Sequence, residues 1–390
     1  MRKNITAVMI AKDEQEHLER CLTSVKSITD KIVVVDTGST DATMEIAHSF
    51  GAEVYQHLWA DSFSAARNHA LEYVMTKWAL QMDADEEVIQ STIHHLDNLE
   101  DSISAYLTPI QNNNADGSMS LHYFERLYQP EKVRYIWRAH NELVVEGDTE
   151  KTEFTILHHG YALSPDEMRK KSERTLRLLM MDIDDAGYVK RNVVYLVQTL
   201  RSLQKWERLI ETVRQYGHVV DNDETAYQMI HVALMLAYEA ISDPALAIRA
   251  GEEILADYPC NIDALFSLAV IYQGQGLWEK AVGGYLSYIR RRRRLQYGGT
   301  VETMIYSTWG SLLTAFASLG TCLVSLDRTN EAALAFSRAD RLAIGRSDEE
   351  NYMANTDQVI VRLIEQESLV CLEPAGLTDG GWSNDLIRKR

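Results

Sequence analysis

Leu80-Gln81-Met82-Asp83-Ala84-Asp85-Glu86-Glu87 is an apolar run that ends abruptly in four acids. A buried strand that releases two carboxylates, one residue apart, at its carboxyl end makes a site for a hard divalent cation, because oxygen ligands suit magnesium and manganese. Open α/β sheets bind their ligands at that edge. Alone, the Asp-Ala-Asp triplet is a weak signal, since acids also begin ordinary loops. The flanking sequence decides.

Toward the amino terminus, residues 78–82 read as the strand that delivers Asp83, residues 64–76 as a helix and residues 53–57 as a short strand. Lys31-Ile32-Val33-Val34-Val35 is a β-branched buried strand closed by Asp36, and Ile5 to Ala11 is the first strand, followed by the polar turn Lys12-Asp13-Glu14. Between those two strands, residues 16–27 carry a helical stripe through Leu18, Leu22 and Val25. Asp36-Thr37-Gly38-Ser39-Thr40-Asp41-Ala42-Thr43 is a turn rich in helix-capping residues, ahead of a helix opening at Met44. Strand and helix alternating at this spacing predict a three-layer α/β domain around a mostly parallel sheet.

Four segments occur in the order and at the spacing of the family 2 glycosyltransferases. They are Ala11-Lys12-Asp13-Glu14, Val35-Asp36-Thr37-Gly38-Ser39-Thr40-Asp41-Ala42-Thr43, Phe63-Ser64-Ala65-Ala66-Arg67-Asn68 and Asp83-Ala84-Asp85. From the first strand through Asp85 the chain resembles that family. A looser match continues through Arg126-Leu127-Tyr128, Arg138-Ala139-His140 and His158-His159-Gly160-Tyr161. These stretches are similar to a branch in which tetratricopeptide-like helices follow the catalytic domain, and which includes bacterial transferases that glycosylate ribosomal peptides at cysteine or serine.

The resemblance implies a Rossmann-like GT-A fold, a nucleotide-sugar donor (a UDP-sugar) and Mn2+ or Mg2+. It implies that Asp36 accepts from the uracil ring, that Ala11 and Glu14 sit beside base and ribose, and that Asp83 and Ala84 reach the ribose. Asp85 is then the direct metal ligand, with Asp83 near the metal and His158 completing its shell. Arg67 would hold base or phosphate through paired hydrogen bonds, with Asn68 supporting the loop. Each has a plainer reading. Asp36 also fits a turn cap, Glu14 a solvated loop acid, Arg67 a surface salt bridge, and His158 a satisfied histidine beside the apolar run 154–157.

Relatives read His-Glu where this chain has His140-Asn141-Glu142. An inverting displacement needs a base within hydrogen-bond reach of the acceptor proton, and Glu142 and then His140 are the candidates, although both also fit packing or loop roles. A cysteine acceptor lessens that need, because a thiol with pKa about 8.5 ionises far more readily than an alcohol. Arg126 and Arg138 fit contact with diphosphate or acceptor, or a solvated face.

The second half differs in kind. From about Ser164 onward β-branched runs become rare, and a tetratricopeptide-like period emerges. Tyr238, Ala247 and Pro259 mark one unit; Leu265, Leu268, Ala269, Tyr272, Ala281 and Tyr285 a second; Leu319, Gly320, Ala332, Phe336 and Ala339 a third, after an insertion around Gln296 to Thr308. A degenerate earlier unit centres on Leu196, Leu200, Trp206 and Leu209. The plainer reading is an irregular helical bundle. The expected organisation is a nucleotide-sugar-binding domain over 1–163, an all-α repeat domain over 164–372 and a flexible tail over 373–390. The run Arg290-Arg291-Arg292-Arg293-Arg294 fits a solvated helix end, or an anchor for an acidic partner.

At 390 residues the chain can bury two cores, and its net charge of −18 argues against general nucleic-acid binding. No stretch approaches membrane-spanning length. Cys21, Cys260, Cys322 and Cys371 lack metal-ligand spacing and suit the reduced thiols of a cytoplasmic protein. A dehydrogenase is disfavoured because no Gly-x-Gly-x-x-Gly follows the first strand, and a nucleotidyltransferase because no glycine-rich phosphate loop does. A non-catalytic repeat scaffold would tolerate loss of the acids, whereas Asp36, Asp83 and Asp85 are all present. The sequence therefore predicts a metal-dependent, inverting glycosyltransferase. The favoured acceptor is a peptide or protein Cys or Ser side chain, followed by cell-surface glycan or lipid-linked acceptors. Repeat surfaces also allow a homodimer.

Overall fold

The computed structural model describes residues 4–113, 119–159, 164–297, 308 and 310–343. The chain divides into two compact units, Met1–Leu203 and Gln204–Arg390.

The strands of the first unit are β1 (Ile5–Ala11), β2 (Lys31–Asp36), β3 (Glu53–Gln56), β4 (Trp78–Gln81), β5 (Glu86–Val88), β6 (Ile103–Asn113), β7 (Met119–Tyr128), β8 (Val133–Ile136), β9 (Glu142–Val145), β10 (Asp148–Lys151) and β11 (Ile156–His158). Its helices are α1 (Leu18–Val25), α2 (Thr43–Ser49), α3 (Phe63–Leu71), α4 (Pro165–Ala186) and α5 (Lys190–Ser202). The sheet runs β3-β2-β1-β4-β7-β6-β11-β5, with β10 also on β6, while β8 and β9 form a separate hairpin. Strands β1 to β4 are parallel, and β7 is antiparallel to both neighbours. The first four strands lie where the sequence pattern puts them. Helix α3 stops at Leu71, short of residue 76 where the sequence pattern ends it, and the chain turns directly after it.

Alternation along β1 explains the layers. Ile5, Ala7, Met9 and Ala11 join Leu18, Cys21, Leu22 and Val25 of α1 in one core. Val8 faces the other way and joins Val33, Val35, Ala70, Tyr128 and Tyr135. A one-residue slip would exchange these faces. Each fully buried Leu or Val is worth about 1.5–3 kcal/mol, so register is firmly set, and with it the residues that leave the carboxyl ends of β1, β2 and β4.

The second unit holds α6 (Trp206–Tyr216), α7 (Glu224–Ala240), α8 (Pro244–Asp257), α9 (Ile262–Gly274), α10 (Trp278–Tyr297), α11 (Leu312–Ser325) and α12 (Thr329–Ala343). Helices α7 and α8, α9 and α10, and α11 and α12 pack as consecutive pairs. Side-chain caps from Asp223, Asp243 and Asn261 start α7, α8 and α9, each worth about 1 kcal/mol. Close approach explains the small residues: a Cβ on Gly284 would stand 2.8 Å from Ala269 Cβ, and one on Gly320 would stand 2.7 Å from the Phe336 ring. The three pairs coincide with the three repeat units read from sequence. Of the degenerate earlier unit, Leu196 and Leu200 lie in α5, and Trp206 and Leu209 in α6. Arg290, Arg291 and Arg292 lie within α10, half-buried, and each makes a contact. The tail 373–390, Cys371, Gly160 and Tyr161 fall outside the described residues. No helix among the described residues is long and apolar enough to cross a membrane.

Candidate active site

Parallel pairing sets Ala11 beside Asp36 at the carboxyl ends of β1 and β2. The two loops that follow are knitted together. Asp13, at φ +54°, accepts from the Thr40 N–H (2.7 Å) while its own N–H donates to Ser39 Oγ (3.0 Å). The Glu14 N–H donates to Thr43 Oγ1 (2.7 Å), and the Gln15 N–H to Asp41 Oδ2 (3.1 Å). Asp36 is 2% exposed, and its Oδ2 accepts from the N–H groups of Gly38 and Ser39, both at 3.1 Å. Thus Asp36 organises its turn, and Ser39, Thr40 and Asp41 bind the neighbouring loop. Glu14 is half-buried beside them.

Asp83 follows β4 and, with a third of its side chain exposed, meets two largely buried arginines. Its Oδ1 accepts from Arg67 Nη2 (2.8 Å) and Gln81 Nε2 (3.0 Å), and its Oδ2 from Arg126 Nη2 (2.9 Å). Arg126 also donates to Glu86 Oε1 (2.6 Å) and to the Gln81 side-chain oxygen. Burial alone would push the Asp83 carboxyl up, but the charges of Arg67 and Arg126 outweigh it and hold that group well below the usual carboxylate range. Glu86 goes the other way. Burial pushes its carboxyl up, Arg126 opposes, and the charge of Asp83 adds to the rise. Ala84 is buried in the core below, and the Cys21 thiol lies 3.5 Å from the Asp83 carbonyl, its pKa raised first by that burial. The Asn68 side chain pairs with both backbone groups of Tyr135, at 2.8 and 2.9 Å, as a neighbouring strand would.

Asp85 and His158 meet. Strand β11 lies between β5 and β6, which places His158 Nε2 2.9 Å from Asp85 Oδ2 and its Nδ1 2.8 Å from Asn112 Oδ1. The hydrogen bond to Asp85 raises the imidazole pKa, against partial burial. One carboxylate and one imidazole, with the second ring nitrogen held by an amide, form a donor pair suited to a divalent cation. Among the described residues no group of three or more His, Cys, Asp or Glu is placed to hold a metal ion, so the pair offers two donors. His159 pairs with Glu87 instead, at 2.8 Å.

The loop carrying the two candidate bases is built differently. Trp137 (φ +69°) and His140 (φ +45°) are both left-handed, at about 1–3 kcal/mol each for such residues. Asp182 of α4 accepts from the Arg138 N–H (3.1 and 3.2 Å) and from Arg138 Nη1 (3.1 Å), and Asp185 lies 2.6 Å from the same nitrogen. His140 stacks on Tyr195 of α5 at 4.1 Å. Lost hydration against that ring, then the charges of Arg191 and Lys171, lower its pKa to about 4, although the residue as a whole stays exposed. Glu142 is exposed and lies 3.3 Å from Arg191 Nε.

The structure therefore gathers Asp83, Arg67 and Arg126 in one network, Asp85 and His158 in a second pair, and Arg138, His140 and Glu142 in a third group. Sequence reasoning counted Glu86 only among the four acids that close the run, and it missed Gln81, Asn112, Asp182, Arg191 and Tyr195. Gln81 did leave a signal, as a polar residue inside the apolar run that ends at Asp83.

Residues 6–145 match the model of the glycosyl transferase family 2. A TPR repeat-containing protein of Synechococcus elongatus is 28% identical over 290 residues, covering 70% of this chain and 72% of that protein. An uncharacterized glycosyltransferase of Rickettsia typhi is 39% identical over 88 residues, or 23% of this chain and 30% of that protein. The SPbeta prophage-derived glycosyltransferase SunS of Bacillus subtilis is 36% identical over 83 residues, or 21% of this chain and 20% of that protein. The chain thus spans a third or less of the two named glycosyltransferases. The match to the glycosyl transferase family 2 thus covers residues 6–145, and the paired helices α7 to α12 follow that stretch in the chain.

Proposed function

We propose that this chain transfers a sugar, with inversion, from a UDP-sugar to a Cys or Ser side chain of a peptide or protein, with a divalent cation at Asp85 and His158. The observation that carries this reading is the Asp85–His158 pair, 2.9 Å apart and backed by Asn112, directly after an Asp83 whose charge is already matched by two arginines. When bound, the cation would neutralise the departing diphosphate. An imidazole in the pair favours manganese over magnesium, which prefers an all-oxygen shell.

The remaining steps rest on side chains and backbone. Asp36 Oδ1 shares the Ser39 N–H at 3.2 Å and keeps acceptor capacity for the imide N–H of uracil, because a carboxylate accepts at about four positions. Ala11 and Glu14 flank base and ribose, and Arg67 orients Asp83 toward the ribose. The acceptor sulfur or oxygen attacks the anomeric carbon as the bond to diphosphate breaks, its electron pair leaving with UDP. The acceptor proton passes to Glu142, with His140 the second candidate, neutral near pH 7 but made a weaker base by its lowered pKa. Helical repeats suit extended peptides, which favours that acceptor class. The free thiols of Cys21, Cys260 and Cys322 among the described residues suit the cytoplasm.

A panel of UDP- and GDP-sugars, assayed for nucleotide release with manganese, magnesium or chelator, tests the reading beside Asp85→Ala. Metal-dependent UDP release should fall by about three orders of magnitude in the variant, as expected for loss of a direct metal ligand. Full activity in chelator, or an unaffected variant, would remove the metal from the mechanism.

A further inference from the structure

We propose that Arg191, on helix α5, is the positioning residue for the loop that carries His140 and Glu142, and that Asp182 on α4 is its companion. The proposal rests on the glycosyl-transfer reading above.

The geometry is specific to a guanidinium. Arg191 keeps 10% of its side chain exposed and lies between two rings, 4.7 Å from the Trp137 centroid and 5.0 Å from that of Tyr195. Its Nη2 donates to the carbonyls of Ala139 and His140, the second at 2.9 Å. Its Nη1 donates to Asn192 Oδ1 at 2.9 Å and lies 3.6 Å from Asp182 Oδ2. Its Nε faces Glu142 Oε1 at 3.3 Å. One planar group therefore touches three of the six residues from Trp137 to Glu142 by polar contact and a fourth by stacking. Asp182, 2% exposed, holds the intervening Arg138 through backbone and side chain.

The loop needs such a holder. Trp137 and His140 occupy left-handed backbone that bulky residues avoid, so the segment does not keep this shape by local preference. The hairpin of β8 and β9 fixes its two ends, while α4 and α5 fix its middle. Tyr195 completes the arrangement by stacking on His140 and on Arg191 together. Consequently the two candidate bases are aimed by helices from outside residues 6–145, and the first helical pair sets acceptor-side chemistry that the sheet cannot set.

Arg191→Lys keeps the charge but loses the planar fork, so a single ammonium cannot serve both carbonyls and Glu142. The test compares wild type, Arg191→Lys and Asp182→Asn by UDP release from the preferred UDP-sugar, by calorimetric binding of UDP with manganese, and by trypsin cleavage after Arg138. Expected is an about tenfold or greater loss of kcat in both variants, as for a misplaced catalytic group. UDP affinity should stay within about twofold of wild type, and cleavage after Arg138 should speed up. Combining Arg191→Lys with His140→Ala or Glu142→Gln, whichever single change slows release, should give a double variant no slower than the slower single. Parallel loss of UDP affinity and kcat would mean a merely structural role. Unchanged kcat in a loop that trypsin now cuts, or strictly additive doubles, would also overturn the proposal. A wild-type protein that binds UDP yet never releases it from any UDP-sugar is a different failure: the transfer reading falls first, and this proposal with it.

Discussion

The corner from Asp83 to Glu86 and the loop from Trp137 to Glu142 each gather acids around arginine, yet they hold their shapes by opposite means. At the corner, Arg126 is 12% and Glu86 2% exposed, and strands on both sides of the network fix its members. In the loop, Arg138 is 29% exposed and Asp185 62%, and the anchoring groups come from two helices. The corner is built on the buried pair Arg126 and Glu86, neither of which can lose its partner cheaply. The loop is a strained segment clipped in place from outside.

Taking one arginine from each exposes the difference most strongly. Arg126→Met strands the Glu86 carboxylate, and breaking a buried pair costs about 3–5 kcal/mol. Arg138→Met leaves Asp182 with the Arg138 backbone N–H and with Arg191, so only about 1.5–3 kcal/mol is at stake, the worth of a charge-assisted hydrogen bond. Urea unfolding of the first-unit transition measures both. Adding Glu86→Gln to Arg126→Met should recover part of the loss; no recovery would show that packing, rather than the stranded charge, sets the cost.

A smaller effect separates metal holding from fold. Asn112 touches His158 Nδ1 and lies on β6, remote in sequence from the acids. Asn112→Ala should weaken manganese binding about tenfold, the low end for losing a group that orients a ligating histidine, with little change in unfolding. Titration calorimetry with manganese and UDP reads it. Unchanged affinity would mean that His158 is oriented by Asp85 and the sheet alone.

The same contrast explains what the sequence could reveal. Asp36, Asp83 and Asp85 stand at or just beyond the ends of apolar strands, so the pattern that announces the strand also announces the residue, while the pairing of Asp85 with His158 came from the family resemblance. Their roles within the network were less legible. The sequence left Arg126 between a contact to diphosphate or acceptor and a solvated face, and its guanidinium is engaged by Asp83, Glu86 and Gln81. Arg138 was left equally open and is engaged by Asp182 and Asp185. Asp182 and Arg191 left no local trace, because they sit in helices whose periodicity speaks only of apolar faces. The third repeat unit was legible for the converse reason, since Gly320 and Phe336 are forced together by the spacing of two paired helices.

The finest test concerns His140, where stacking on Tyr195 and nearby cations lower the imidazole pKa from 6.5 to about 4. Between those values the unfolded chain binds a proton that the folded loop refuses. Stability from this residue is therefore complete above pH 6.5 and is lost as pH falls toward 4. Part of that effect is screened, because the residue remains exposed. Everything else in the chain is common to both proteins, so the informative quantity is the drop in Tm from about pH 7.5 to about pH 5, wild type against His140→Gln. The variant should lose less. An equal drop would mean that His140 titrates freely in the folded protein, hence that it is not held on Tyr195, and the loop would then be looser than the stack implies.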